Sequence, residues 1–219
     1  IDTVTATDAD TITYSVSGTD SGSISINSSL GVLTFNSAPN YESKTSYSIV
    51  VTASDGTNST NQNVTINITN VNEAPAFTSS ASFSAEENQT SIGGVSVNDP
   101  EGSSIIYSLS GTDAGSLAVS SSGVLSFGSA PNYESKNSYS ATVAASDGTN
   151  STTQDVTISV TDVNDAPVAT AAAYTMDLKP QSQTSGSLTL AGTDEDGNRL
   201  KYSIVSNGSY GTASLSGTT

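Results

Sequence analysis

Apolar residues recur along this chain with a period of two, in short runs separated by turn-forming residues. Between residues 76 and 167 seven such runs occur, at 81–85, 92–97, 104–109, 117–120, 124–127, 138–144 and 155–160. Alternation of this kind buries one face of an extended segment and leaves the other in water, so each run predicts a short β-strand. The gaps carry turn chemistry: Asp99-Pro100-Glu101-Gly102, Thr112-Asp113-Ala114-Gly115, Ser122-Gly123, Pro131-Asn132 and Asp147-Gly148. No segment carries a helical stripe. Seven strands in about 92 residues predict an all-β fold, a Greek-key immunoglobulin-like sandwich.

The pattern repeats. SGTD at 17–20 returns at 110–113, an offset of 93, and APNYESK at 38–44 returns at 130–136, an offset of 92. ASDGTNST at 53–60 returns at 145–152, and NEAP at 72–75 returns as NDAP at 164–167. One residue is lost in a loop between the copies. A period of this size is one sandwich domain, so the chain predicts tandem repeats at 1–74, 75–166 and 167–219, placed end to end. The first lacks its start and the third its end, which reads as a piece of a longer array.

Composition narrows the chemistry. Five Lys plus Arg against 21 Asp plus Glu leave a formal charge of −16, with no His and no Cys. No basic surface exists to neutralise phosphates, which excludes nucleic acid as a partner. The absence of His and Cys removes zinc sites built on imidazole or thiolate, disulfides, and Ser-His-Asp or Cys-His nucleophiles. No run of 18 apolar residues predicts a membrane span in this segment. With 34% hydrophobic residues and a high net charge the composition alone would permit disorder, but the strand periodicity argues against it.

The middle repeat holds ten acids (Glu86, Glu87, Asp99, Glu101, Asp113, Glu134, Asp147, Asp155, Asp162 and Asp165) and one base, Lys136. In a sandwich of alternating strands, successive loops emerge at opposite ends. Asp99, Glu101 and Asp147 then meet at the upstream end, and Glu86, Glu87, Glu134, Asp162 and Asp165 at the downstream end. Only Asp113 and Asp155 fall outside. Two such charges about 4 Å apart repel by roughly 4 kcal/mol at an effective dielectric near 20, so each cluster calls for a cation. Short linkers bring the downstream end of one repeat against the upstream end of the next. The first junction then gathers Glu42, Asn70, Asn72 and Glu73 with Asp99, Glu101 and Asp147. The second gathers Glu87, Glu134, Asp162, Asn164 and Asp165 with Asp194 and Asp196. Oxygen-only ligation by several groups points to Ca2+.

These residues resemble cadherin repeats of the bacterial type. The matching positions are Glu87-Asn88, the paired acids Asp8 and Asp10, Asp99 and Glu101, Asp194 and Asp196, the turn glutamates Glu42 and Glu134, the turn aspartates Asp55 and Asp147, and the linker Asp162, Asn164, Asp165 and Pro167. The resemblance covers residues 1–167. It implies Ca2+ between successive repeats, an extracellular or cell-surface location with the anchor elsewhere, and calcium-dependent, often homophilic, adhesion. Asn40 and Asn132 stand where the family carries Asp, and Asn70 and Glu73 replace linker acids, so fewer or weaker ions are expected, the first junction being the weaker. The third repeat, with TDEDGNRL at 193–200, Tyr202 and Gly208-Ser209-Tyr210-Gly211-Thr212, resembles another bacterial immunoglobulin-like repeat. Asp194, Asp196 and Asn198 fail the EF-hand pattern.

Other features read as structural. Tyr47 and Tyr139 fit a tyrosine corner. Lys44 and Lys136, two residues after the turn glutamates, predict local ion pairs rather than isopeptide crosslinks. Seven N-x-S/T sequons are what so much Asn, Ser and Thr yields by chance. Acid pairs at junctions with short loops leave no substrate cleft, so no enzyme activity is expected of this segment. Two functional readings stand: calcium-stiffened adhesion modules meeting another surface protein or a glycan, and passive spacer or carbohydrate-binding repeats of a secreted multidomain enzyme.

Overall fold

The computed structural model describes residues 1–174, 186–207 and 212–216. The chain is nearly all β. Its strands are β1 (Thr13–Ser17), β2 (Ile24–Ile26), β3 (Leu33–Phe35), β4 (Ser46–Ser54), β5 (Ser59–Asn67), β6 (Ala76–Phe77), β7 (Ser82–Glu86), β8 (Ser91–Gly94) and β9 (Val97–Asn98). There follow β10 (Ile106–Ser110), β11 (Leu117–Val119), β12 (Val124–Phe127), β13 (Ser138–Ser146), β14 (Ser151–Thr161), β15 (Val168–Thr170) and β16 (Ala191–Thr193). Short 3-10 turns at Ser21–Ser23 and Ala114–Ser116 precede β2 and β11. The run expected at 92–97 is broken into β8 and β9, and that at 155–160 is the downstream half of the longer β14. The Gly208-Ser209-Tyr210-Gly211 motif lies outside the described residues.

Two compact units emerge. The first comprises Ile1–Ala76 together with the loops Asn98–Ile105 and Ser146–Thr152; the second comprises Phe77–Val97, Ile106–Ala145 and Thr153–Thr219. Two loops of the second sequence repeat thus group with the first unit.

In the first unit β4 lies between β1 and β5, antiparallel to both, and β2 pairs with β3. Alternation places Ile49 and Val51 of β4 inward, where they meet Ile24 and Leu33 in a fully buried core. The outward residues of β4 include Ser46 and Ser48. The second unit carries the same design with a larger core. A four-stranded sheet in the order β10-β13-β14-β7 and a three-stranded sheet in the order β11-β12-β8 enclose Leu125, Phe127, Val143, Val156 and Ile158. β7 joins β14 in parallel, with Thr157 opposite Ser82 and Thr161 opposite Glu86. That pairing carries the residue after β7, Glu87, to the downstream end. Each fully buried Val, Leu, Ile or Phe contributes about 1.5–3 kcal/mol, so these few residues drive the fold.

One turn is repeated at atomic detail. Gly123 has φ +81°, and a Cβ there would lie 2.5 Å from the Val95 carbonyl oxygen. Its counterpart Gly31 has φ +69°, with a Cβ position 2.1 Å from the Val4 carbonyl oxygen. Only glycine fits where the chains pass so closely.

Two structural expectations are corrected. Lys44 and Lys136 do not pair with the glutamates two residues before them. Lys44 pairs with Asp20, and Lys136 with Asp113, each long in sequence but adjacent across the sandwich edge. The far carboxylate oxygens accept from the backbone N–H of Ser48 and Ser140, both at 2.8 Å. The tyrosine corner is likewise replaced by packing: Tyr47 lies edge-on to Phe35 and Tyr139 to Phe127, both at 5.0 Å, with the lysine ammonium over each tyrosine ring. In the first unit the tyrosine that bonds backbone is Tyr14, whose hydroxyl accepts from Ala6 N–H at 2.9 Å.

Candidate metal centres

Within the first unit, the turn before β4 supplies Glu42, the segment after β5 supplies Glu73, and the loop after β9 supplies Glu101. One carboxylate oxygen from each lies within 4.8 Å of the others. Both Glu101 oxygens and Oδ2 of Asp99 are buried without a hydrogen-bond partner. Asp99 Oδ1 accepts from Ser103 N–H at 2.9 Å, which fixes the loop and leaves the second oxygen free. Contact with the Glu101 carboxyl raises the pKa of Glu73 above its ordinary 4.5, with burial and the charges of Glu42 and Glu101 adding to the effect. Like charges this close favour the form in which one carboxylate is neutralised.

Asp147 stands beside this group in a different state. Its Oδ1 accepts from Thr149 and Asn150 N–H, both at 2.6 Å, and its Oδ2 accepts from Asn72 Nδ2 at 2.7 Å. The Asn150 and Thr149 amides and the Asn72 side chain hold its pKa below the ordinary 3.8, the Asn150 bond being the largest cause. Asn150 Nδ2 donates to the Asn72 carbonyl at 2.7 Å, so the linker and this turn grip each other at two points. Asn70 is exposed.

The second unit gathers two overlapping groups, Glu87 with Glu134 and Asp162, and Glu134 with Asp165 and Glu195. Glu134 is common to both. Glu87, at 2% exposure, is the one buried charged residue among the described residues. Its Oε2 accepts from Tyr133 N–H at 2.7 Å and its Oε1 from Val163 N–H at 2.8 Å. It therefore ties the Glu134 turn to the linker that carries Asp162 and Asp165. Asp162 has its pKa raised above 3.8 by burial first, then by contact with Asp196 and the charges of Asp196, Glu87 and Asp165. Glu134 is also raised above 4.5: its own backbone amide pulls it down, but burial and the charges of Glu87, Asp162 and Asp196 outweigh that.

Amides fill the spaces between these acids. Asn88, with φ +61°, donates Nδ2–H to Asp165 Oδ1 at 3.0 Å, and Asp165 N–H donates to Asp196 Oδ2 at 2.7 Å. Asn164 accepts from Asn198 Nδ2 at 2.6 Å, and Asp194 Oδ1 accepts from Asn198 N–H at 2.9 Å. Asn132, which resembles a substituted ligand position, instead caps its own turn by accepting from Ser135 N–H at 2.7 Å. It donates Nδ2–H to Glu195 Oε2 at 2.7 Å. Glu195 escaped sequence reasoning because the alternation of Asp194 and Asp196 drew attention to its neighbours. Three acids stand side by side at 194–196, and nothing in that run marks Glu195, which stays exposed, as the one that reaches Glu134 and Asp165. At the far end of the first unit, Asp8 and Asp55 line one small cleft with Ala6 and Asn58, while Asp10 lies outside it and donates its N–H to Asp8 Oδ1 at 2.9 Å.

Comparison with known proteins adds the following. A family described as a bacterial Ig domain matches residues 72–161. Human Protocadherin-15 is 30% identical over 184 residues, 77% of this chain and 9% of that protein. Chitinase A of Pseudoalteromonas piscicida is 34% identical over 105 residues, 47% of this chain and 13% of that protein. The chain therefore spans only a small part of each relative. Among solved structures, human CDH23 EC21-23 superposes with a TM-score of 0.60 at 21% identity, covering 89% of this chain and 78% of that one. Human Protocadherin-24 EC1-2 gives 0.53 at 20% identity, covering 72% and 85%. At these identities the structural likeness establishes the fold. Among the described residues no helix is long and apolar enough to cross a membrane.

Proposed function

We propose, for a chain that is a cadherin-like repeat protein of the immunoglobulin type, that its acidic junctions bind Ca2+ and so stiffen an extracellular array that supports adhesion. Three repeats at 1–74, 75–166 and 167–219 meet at two such junctions. The observation that carries this reading is Glu101. Its two carboxylate oxygens are buried without donors, beside Glu42 and Glu73. Burying an unpaired carboxylate costs several kcal/mol, and a protein retains it where a cation restores the balance. Hard oxygen donors and the lack of His and Cys favour Ca2+ over softer metals.

At the first junction Glu42, Glu73, Asp99, Glu101 and Asp147 are the ligands, with Asn72 beside them. At the second they are Glu87, Glu134, Asp162, Asp165 and Asp196, joined by Glu195, with Asn164 and Asp194 outside them. Asp8, Asp10 and Asp55 offer the same carboxylate chemistry at the upstream end of the first repeat. Another cell-surface protein, a glycan or a further copy is the adhesion partner, and the location is extracellular. No catalysis is assigned to this segment.

The similarity to Chitinase A favours a second reading, in which such repeats act as spacers beside a secreted enzyme. The sequence flanking this segment separates the two, since a catalytic domain favours the spacer. Calcium is tested by calorimetric titration and by melting with and without EDTA. Absence of binding below about 10 mM refutes the junction sites, because extracellular modules bind near 0.1–1 mM. Asp99→Ala and Asp147→Ala are expected to abolish binding at the first junction only.

A further inference from the structure

The two turns after β4 and β13 share the sequence Ser-Asp-Gly-Thr-Asn, at 54–58 and 146–150. An aspartate followed by glycine has a reaction open to it that other sequences resist, because no side chain shields the glycine nitrogen. That nitrogen forms a bond to the aspartate Cγ while the Cγ–OH bond breaks. The amide proton and the carboxyl OH leave as water, closing a five-membered succinimide. Water then adds to either carbonyl and opens the ring. One route restores aspartate, and the other diverts the main chain through the β-carbon as isoaspartate.

The structure shows both turns held away from this reaction by the same bonds. The Gly56 N–H donates to Ser54 Oγ at 3.1 Å, and the Gly148 N–H to Ser146 Oγ at 3.1 Å. Each serine hydroxyl donates in turn to the carbonyl of Asn58 or Asn150, both at 2.9 Å, which fixes the acceptor in place. The attacked carboxylate is pinned as well. Asp55 Oδ1 accepts from Thr57 N–H at 2.7 Å and Asn58 N–H at 2.5 Å, in parallel with Asp147. The nucleophile and the carbon it must reach are thus each tied to different partners.

The two sites differ in one respect. Asp147 Oδ2 also accepts from Asn72 Nδ2 at 2.7 Å, and Asn150 is tied to the Asn72 carbonyl. Asp55 Oδ2 has only the long 3.5 Å contact from its own turn's Asn58 Nδ2. We infer that Asp55 and Asp147 are latent sites of spontaneous isoaspartate formation, with Ser54 and Ser146 as their guards and Asn72 as a second lock on Asp147 alone. An added main-chain methylene would carry the carboxylate out of its turn, so the same event would disable a proposed calcium ligand. That last consequence rests on the junction reading, but the chemistry does not.

The test ages the whole chain in neutral buffer with EDTA, digests it, and measures isoaspartate at both positions by electron-transfer mass spectrometry and by enzymatic methylation. Asp55 is expected to convert faster than Asp147, by about the tenfold that one net hydrogen bond is worth. Asn72→Ala should bring Asp147 to the Asp55 rate without altering Asp55. Ser146→Ala should accelerate Asp147 alone, and Ser54→Ala Asp55 alone, with circular dichroism confirming that each variant is folded. Equal rates at the two positions in the parent chain, or unchanged rates in the serine variants, overturn the proposal. Calcium titration of the unaged chain stands apart from these readings, so failure of the metal sites and failure of this inference are told apart.

Discussion

Replacing Glu87 with alanine removes a buried carboxylate that serves two backbone donors at once. At 2% exposure it accepts from Tyr133 N–H and Val163 N–H, and no other partner of those amides is in place to substitute. A hydrogen bond to a charged group contributes about 1.5–3 kcal/mol, so two lost bonds cost about 3 kcal/mol at the lower end. The lower end applies because both amides lie near the rim of the sandwich, where water reaches them once the side chain is gone. For a domain of about 90 residues each kcal/mol shifts the midpoint by about 4–8 °C, which predicts a fall of about 12–24 °C. The assay is scanning calorimetry of the whole chain in EDTA, with the relevant transition identified by hydrogen exchange at β13 and β14. A chain of several repeats melts in several steps, so one overall midpoint would mislead. Glu87→Gln keeps one acceptor oxygen and should cost about half as much. Both effects must appear without calcium, since the amide bonds involve no ion. A loss below about 1 kcal/mol in EDTA, or a loss seen only with calcium present, refutes the clamp.

Two further predictions concern charge and backbone. Glu73 and Glu134, raised above 4.5, and Asp162, raised above 3.8, bind protons more tightly folded than unfolded, so in EDTA their protonation stabilises the fold as pH falls through their folded values. Asp20, Asp55, Asp113 and Asp147, lowered below 3.8, act in the opposite sense. Their contribution is complete above that value and is lost as pH falls through their folded values. The ion-free melting temperature should rise and then fall on acidification, and saturating calcium should remove the rise; a monotonic fall in EDTA refutes the carboxylate contacts. Gly123→Ala and Gly31→Ala force a Cβ to 2.5 and 2.1 Å from a carbonyl oxygen at positive φ. Each should destabilise its own unit by about 2–4 kcal/mol in urea unfolding, and a loss within about 0.5 kcal/mol would contradict the close approach.

Much of the fold was legible because its signals are local. Period-two runs and turn residues report on a few consecutive positions, and they located the strands that became β7 to β14 to within a few residues. The break between β8 and β9 was not visible, since the apolar residues Ile92, Val95 and Val97 continue through it. Glycines at 93 and 94 sit in that segment, and Gly93 lies 3.1 Å, at its Cβ position, from the Phe83 ring. The lysine partners were misjudged for a related reason. Spacing brings Glu134 and Lys136 close in sequence, but the antiparallel return of the chain brings Asp113 closer in space.

The candidate sites divide in the same manner. Loop parity in the sequence determined which acids share an end of a sandwich, because an alternating strand order sends alternate loops the same way. Only the tertiary structure decided the state of each carboxylate there. Glu87 and Asp147 have their oxygens satisfied by amides, Glu101 has neither oxygen satisfied, and Asn132 turns a donor toward Glu195. Alternation and spacing encode which face a residue occupies. Whether a carboxylate meets an amide, another carboxylate or nothing turns on offsets of about an ångström between segments far apart in the chain, and hydrogen bonds weaken steeply over that distance.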